Sequence, residues 1–361
     1  MIEDYFSATY SDARAKFLAG CIKTGATVTS YRNPESGPKG EALFTDVARL
    51  GPTDADRVLI VESGTHGPEG FCGSGIQVGL LCDNDAPQPI GGAAMLLVHA
   101  INPYGFAWMC RVNEDNVDLN RNFIDHAAGH YPQNEIYDEV VDALIPKTWN
   151  DASIAEAQKV LDASKEKYGE QELNQAMRKG QYHHPEGTHY GGNKPTWSNL
   201  LVSRICTEHL GHAKSAALID IHSGLGPYGY GEPLTPSAPG TPVDDRVRAW
   251  YGGDVRSTLA SDSAYAGTQS SIIVGYTAAL PDIDWVCIGL EFGTRPTEEV
   301  RKALRADAWL HRYGNVDSDL GRTIKRELRD ASYPDELEWK TMVWTRGKEL
   351  VGVALKRLVA A

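Results

Sequence analysis

The chain has 361 residues, 42% of them hydrophobic, and 35 basic against 48 acidic side chains give a formal net charge of −13. That is long and apolar enough to bury a full core in one large α/β domain or two smaller ones. The acidic balance argues against a nucleic-acid or anionic-membrane partner, since both require a basic face.

The N-terminus, Met1-Ile2-Glu3-Asp4-Tyr5, has no apolar core of the kind a secretory signal carries. No apolar run reaches the roughly 18 residues of a membrane span. Six scattered cysteines without CxxC spacing read as reduced, mostly buried thiols of a cytoplasmic protein.

Taken in chain order, residues 5–23 carry apolar side chains at helical spacing and stop at Gly25. Strand-like runs follow at 26–31 and 42–49. Four continuous apolar strands are predicted at 57–62, 94–101, 216–222 and 285–292; lack of alternation suits strands covered on both faces. Helices are predicted between them at 74–82, 134–145, 150–178, 195–210 and 244–260, and beyond them at 297–312, 317–330 and 336–359. This alternation predicts an αβα sandwich, with a mixed, mostly parallel sheet and helices on both sides. No internal repeat or low-complexity linker divides the chain, so 1–361 reads as one catalytic domain. The long polar stretch 125–196 reads as an insertion placed to cap a site.

Two polar clusters stand where buried strands should surface. Ser63-Gly64-Thr65-His66-Gly67-Pro68-Glu69-Gly70 follows Val58-Leu59-Ile60-Val61. Asp220-Ile221-His222-Ser223-Gly224 closes a second apolar run. A bare HxxE is a weak signal, but Gly64 permits a sharp turn and the cluster lies at a strand's C-terminal edge, where α/β sheets bind ligands. His66, Glu69 and His222 together supply two nitrogens and a carboxylate with a fourth position open, the usual hydrolytic set of a single zinc ion. Asp220 is placed to orient an imidazole.

Glu291 ends the apolar strand Val286-Cys287-Ile288-Gly289-Leu290. A buried carboxylate is costly without a partner or a task. Beside metal-activated water it suits proton transfer; pairing with an arginine is the alternative. A third block holds Asn102-Pro103-Tyr104-Gly105-Phe106, Arg111 and Val117-Asp118-Leu119-Asn120-Arg121-Asn122-Phe123. Arginine grips carboxylates in bidentate fashion, and Asn120 beside Arg121 sets a neutral donor next to a charged fork. His183, His184 and His189 lie in a Gly-containing polar loop, which is a simpler reading than a second metal site.

In this order GTHGPE, NPYGF, VDLNRNF, DIHSG and GLEFGT resemble the zinc carboxypeptidases of the carboxypeptidase A type, over roughly residues 55–295, and above all their bacterial branch of stand-alone catalytic domains. The resemblance implies zinc held by His66, Glu69 and His222, Glu291 as general base, Asn120 and Arg121 on a terminal carboxylate, and Arg111 at the oxyanion. It also implies a tyrosine ahead of the base, Tyr265 first and Tyr276 second. The specificity pocket is then expected within 269–277, where Ser270, Ser271, Ile272 and Ile273 suggest no charged side-chain preference. The loop between Arg111 and Asn120 is shorter than in the digestive enzymes.

Three readings follow. One is a zinc hydrolase that removes a C-terminal residue from a peptide or cleaves the amide of a carboxylate-bearing substrate. Another is a deacylase of small N-acyl amino acids, of the aspartoacylase or succinylglutamate-desuccinylase type. The third is a non-catalytic binder of carboxylate ligands.

Overall fold

The computed structural model describes residues 1–260, 263 and 269–360. Among these, eight strands form one sheet: β1 (Thr27–Ser36), β2 (Ala42–Leu50), β3 (Arg57–Ser63), β4 (Ala94–His99), β5 (Ser215–Tyr228), β6 (Gly231–Thr235), β7 (Arg256–Ser257) and β8 (Asp284–Gly293). Their spatial order is β1-β2-β4-β3-β5-β8-β6-β7. The central run β4-β3-β5-β8 is parallel, as is β6 with β7, while β1-β2, β2-β4 and β8-β6 are antiparallel. The sheet is therefore mixed and mostly parallel, as the sequence predicts.

The helices are α1 (Tyr10–Thr24), α2 (Gly70–Cys82), α3 (Pro103–Trp108), α4 (Glu135–Leu144), α5 (Asp151–Tyr168), α6 (Glu170–Arg178), α7 (Trp197–His209), α8 (Pro242–Tyr251), α9 (Ile272–Ala279), α10 (Thr297–Tyr313), α11 (Asp319–Ser332) and α12 (Leu337–Ala360). Successive strand residues point to opposite faces. Leu59, Val61, Leu97, Ile219 and Ile288 pack with α1, α2, α8 and α12. Val58, Ile60, Leu96, Leu218 and Cys287 pack with α7 and α9. The continuous apolar runs thus divide residue by residue between two cores, which makes the three layers. All six cysteines are free thiols. Among the described residues no helix is long and apolar enough to cross a membrane.

Several boundaries differ from expectation. The helix predicted over 150–178 breaks into α5 and α6 at Gly169, whose φ of 87° leaves the helical region. The helix predicted over 244–260 ends at Tyr251, because Gly252-Gly253 follows and β7 then joins the sheet edge. Helix α3 comes from the NPYGF motif: the Asn102 side chain accepts from the Gly105 N–H at 2.9 Å and Pro103 opens the helix.

Glu62 is among the polar residues that are fully buried. The Tyr276 hydroxyl donates to Glu62 Oε2 at 2.5 Å, while Glu62 Oε1 has no hydrogen-bond partner among the described residues. Burial, followed by the charge of Asp220, raises the Glu62 carboxyl well above its ordinary 4.5. The folded chain therefore keeps this proton where the unfolded chain has released it. Stability is lost as pH rises from the unfolded value through the raised folded value. Glu62→Gln removes that dependence, worth at most about 1.4 kcal/mol for each pH unit crossed. Urea unfolding of both proteins between pH 5 and 8 should show the variant gaining on the wild type as pH rises; parallel profiles contradict this assignment.

Candidate active site

Chain turns at the C-terminal ends of β3, β4, β5 and β8 assemble the site. After β3, Gly64 adopts φ 75° and its α-carbon face lies against Ala100. Ile101 and Asn102 donate backbone bonds to Ser63 and Gly64, so the turns after β3 and β4 are sewn together. A Cβ at Gly67 would come within 2.0 Å of Gly105 O and 2.4 Å of Cys110 O. The glycines of the HxxE segment are thus packing requirements, and NPYGF is the buttress they pack against. Glu69 is the N-cap residue of α2, where the helix dipole favours a carboxylate.

His66, Glu69 and His222 are brought together, each 4–7% exposed, with one potential ligand atom from each lying within 4.8 Å of the others. His66 Nδ1 is 2.9 Å from Glu69 Oε1, and His222 Nδ1 is 2.8 Å from Glu69 Oε2. The opposite ring nitrogens meet other carboxylates: His66 Nε2 lies 3.2 Å from Asp118 Oδ1, and His222 Nε2 lies 2.6 Å from Asp220 Oδ2. Asp220 itself accepts from the Thr65 hydroxyl at 2.8 Å. Each imidazole held by a carboxylate through Nε2 presents Nδ1 to the common point, the arrangement that orients a metal-binding histidine. Two nitrogens and a carboxylate so disposed can hold a divalent transition-metal ion.

The charges reinforce one another. Burial alone would raise the Glu69 carboxyl, but His66 and His222 hold it well below the usual range. Burial works against a charged His222, yet Asp220 and Glu69 raise it well above the ordinary imidazole value. Burial likewise opposes the Asp118 charge, and Arg111, Arg121 and His66 override it.

The other expected residues are found as follows. Glu291 pairs with His222 across β5 and β8, lines the same cavity and accepts from the Leu225 N–H at 3.0 Å. Burial and the neighbouring Glu69 charge push its carboxyl up to about 7. Arg111 lies 3.3 Å from Glu69 and 3.2 Å from Asp118. Asn120 Oδ1 accepts from the Ile272 N–H at 2.9 Å, and its Nδ2 lies 3.5 Å from His222. Arg121 lines the cavity with its guanidinium braced on backbone: Nε and Nη2 donate to the Arg178 carbonyl and Nη1 to that of Asn120. Tyr265 lies outside the described residues. Tyr276 is a fully buried core aromatic bonded to Glu62, and it does not line the cavity.

Two contributors were not anticipated. Asp118 sits in VDLNRNF but carried no role in the sequence reading. His189, read as part of a polar loop, places Nδ1 3.1 Å from Asp118 and lines the cavity. No spacing signal links positions 71 residues apart. The cavity, about 690 Å³, extends from the histidines to a wall made by α5, α6 and α10, so part of the 125–196 segment faces the site.

The DUF2817 family profile, described as a protein of unknown function, matches residues 6–346. The chain belongs to that family. No curated protein matches it. Among solved structures it is similar to bovine thrombin-activatable fibrinolysis inhibitor in complex with tick carboxypeptidase inhibitor: 12% identity, 99% of this chain and 98% of the other covered, TM-score 0.49. A carboxypeptidase A from Helicoverpa armigera gives 13% identity, 90% and 74% coverage and a TM-score of 0.41. A succinylglutamate desuccinylase from a Silicibacter species gives 12%, 85% and 65%, and 0.39. None of the three reaches a TM-score of 0.5, so the fold of this DUF2817 member rests on its own topology.

The packing at Gly67 yields a test. Gly67→Ala forces backbone on three segments apart and should cost roughly 3 kcal/mol in urea unfolding. Gly253→Ala, with nothing within 4 Å of the added carbon, should stay within about 0.5 kcal/mol of wild type. Equal stabilities would show that the close packing does not hold the turn.

Proposed function

We propose that this chain is a zinc-dependent hydrolase that cleaves the amide bond next to a free carboxylate, removing a C-terminal residue from a short peptide. The carrying observation is the convergence of two carboxylate-anchored imidazoles and Glu69 in one cavity with Glu291. The donor set fits zinc: nitrogen and carboxylate ligands suit it, whereas calcium and magnesium favour all-oxygen cages. His66, Glu69 and His222 would hold the ion. Bound there, zinc supplies a Lewis acid that acidifies water and polarises a carbonyl.

The chain's own residues supply the remainder. Glu291, half-buried beside the proposed metal site, accepts a proton from the attacking water and passes it to the departing amine nitrogen. Asn120 and Arg121 receive the substrate carboxylate, which confers exopeptidase character. Bracing of Arg121 on the Arg178 and Asn120 carbonyls fixes its fork in advance. Arg111 offers its guanidinium to the developing oxyanion. In this reading 1–361 works as one catalytic domain, with 125–196 as an insertion walling the cavity. The six free thiols support a cytoplasmic setting.

A second reading, deacylation of small N-acyl amino acids, uses the same residues. It is favoured by the wall of α5, α6 and α10, which limits how far a substrate extends. A panel of N-acetyl dipeptides against N-acetyl amino acids separates the two.

Glu291→Gln should bind one zinc per chain as the wild type does, while kcat falls by roughly 10²–10⁴-fold. Metal content by mass spectrometry and turnover on the better substrate check both halves. Undiminished turnover removes Glu291 from the chemistry, and activity that survives chelation of the wild type removes the metal.

A further inference from the structure

The cavity's charge does not match the chain's. On a protein of net charge −13, seven lysines and arginines line this one cavity against six aspartates and glutamates. Three of those carboxylates, Glu69, Asp220 and Glu291, belong to the metal end and are answered there. The far wall holds Lys165, Arg178, Arg301, Lys302 and Arg305 against Asp162, Glu170 and Glu298. Two of these acids are spent on exposed pairs: Glu170 with Lys165 at 2.8 Å, and Glu298, 82% exposed, with Arg301 at 2.7 Å. Exposed pairs of this kind are weakly held, so an incoming anion can compete for their cations.

The arginines are also held. Arg305 Nε donates to Leu144 O and its Nη2 to Ala143 O, at the C-terminus of α4. Arg178 Nε donates to Asn174 O within α6. Burial, then Arg301 and Arg121, lowers the Arg178 guanidinium from its ordinary value, so Arg301 and Arg121 each lie within electrostatic reach of Arg178. Around them Leu144, Leu161, Leu173, Val300 and Leu304 form apolar walls. Like charges gathered in a partly apolar cleft repel, and an anion between them relieves that repulsion. Guanidinium forks fixed by backbone are preorganised for carboxylates.

We propose that the far wall of the cavity, through Arg178, Arg301 and Arg305, binds a second anionic group of the substrate, so that the preferred substrate is a polycarboxylate: an acidic peptide or an N-acyl amino acid carrying a further carboxylate. The inference rests on the hydrolase reading for the placement of the first carboxylate at Arg121. It also revises the expectation of no charged preference. That expectation came from 269–277 alone, and the charge comes from α6 and α10.

The test uses the isosteric ligands N-acetyl-glutamyl-glutamate and N-acetyl-glutaminyl-glutamine, titrated by calorimetry into the zinc-loaded Glu291→Gln chain. The acidic ligand should bind at least tenfold more tightly. Adding Arg178→Gln and Arg301→Gln should reduce that ratio to less than threefold, whereas a merely structural loss would weaken both ligands alike. Equal affinities, a ratio that survives both substitutions, or no binding of either ligand overturns the proposal. Hydrolysis by the wild-type holoenzyme is read separately. Zinc-dependent cleavage of both peptides without preference sinks the substrate class and leaves the hydrolase standing. A persistent binding ratio with no cleavage of either sinks the hydrolase and leaves the anion site.

Discussion

The structure turns on the carboxylate of Glu69 lying between two imidazoles at the end of a buried sheet. Asp118 and Asp220 take the far nitrogens of those rings, and Glu291 stands on the neighbouring strand. Four carboxylates are thereby gathered where water is scarce. Such a concentration is tolerable only with matching positive charge. Arg111 and Arg121 supply part of it, and His222, raised well above the ordinary imidazole value by Asp220 and Glu69, supplies part. A divalent ion held by His66, Glu69 and His222 would supply the remainder.

Rigidity follows from the same constraint. Residues that could share an ion must not drift, and here each of the three is fixed by a different device. His66 lies in a turn whose glycines leave no room between the ends of β3 and β4. Glu69 caps α2. His222 is locked into the β5–β8 ladder opposite Glu291. Arg121 is braced by the carbonyl at the end of α6, which ties this cavity-lining guanidinium to a segment far away in sequence.

The parallel centre of the sheet was legible because apolar runs at 57–62, 94–101, 216–222 and 285–292 are long and unbroken. Two-sided burial leaves that signature whatever the surroundings. Strand β7, two residues long, and helix α9, in an apolar stretch without distinctive periodicity, left no comparable trace. The convergent trio was legible because His66, Glu69 and His222 each sit at or just past the end of such a run. Their supports were less so. His189 reaches Asp118 across 71 residues, and the Glu62–Tyr276 bond joins residues 214 apart. Local spacing carries no information about such pairs. The arginines of α6 and α10 read as ordinary surface charge on amphipathic helices, and only the tertiary arrangement turns them toward one cavity.

Zinc K-edge X-ray absorption on the reconstituted chain tests the central claim most directly. The account predicts a four- or five-coordinate ion with two imidazole nitrogens and carboxylate oxygen at about 2.0–2.2 Å, and loss of one imidazole from the shell in His222→Ala. A shell dominated by sulfur, or one without imidazole scattering, would contradict it.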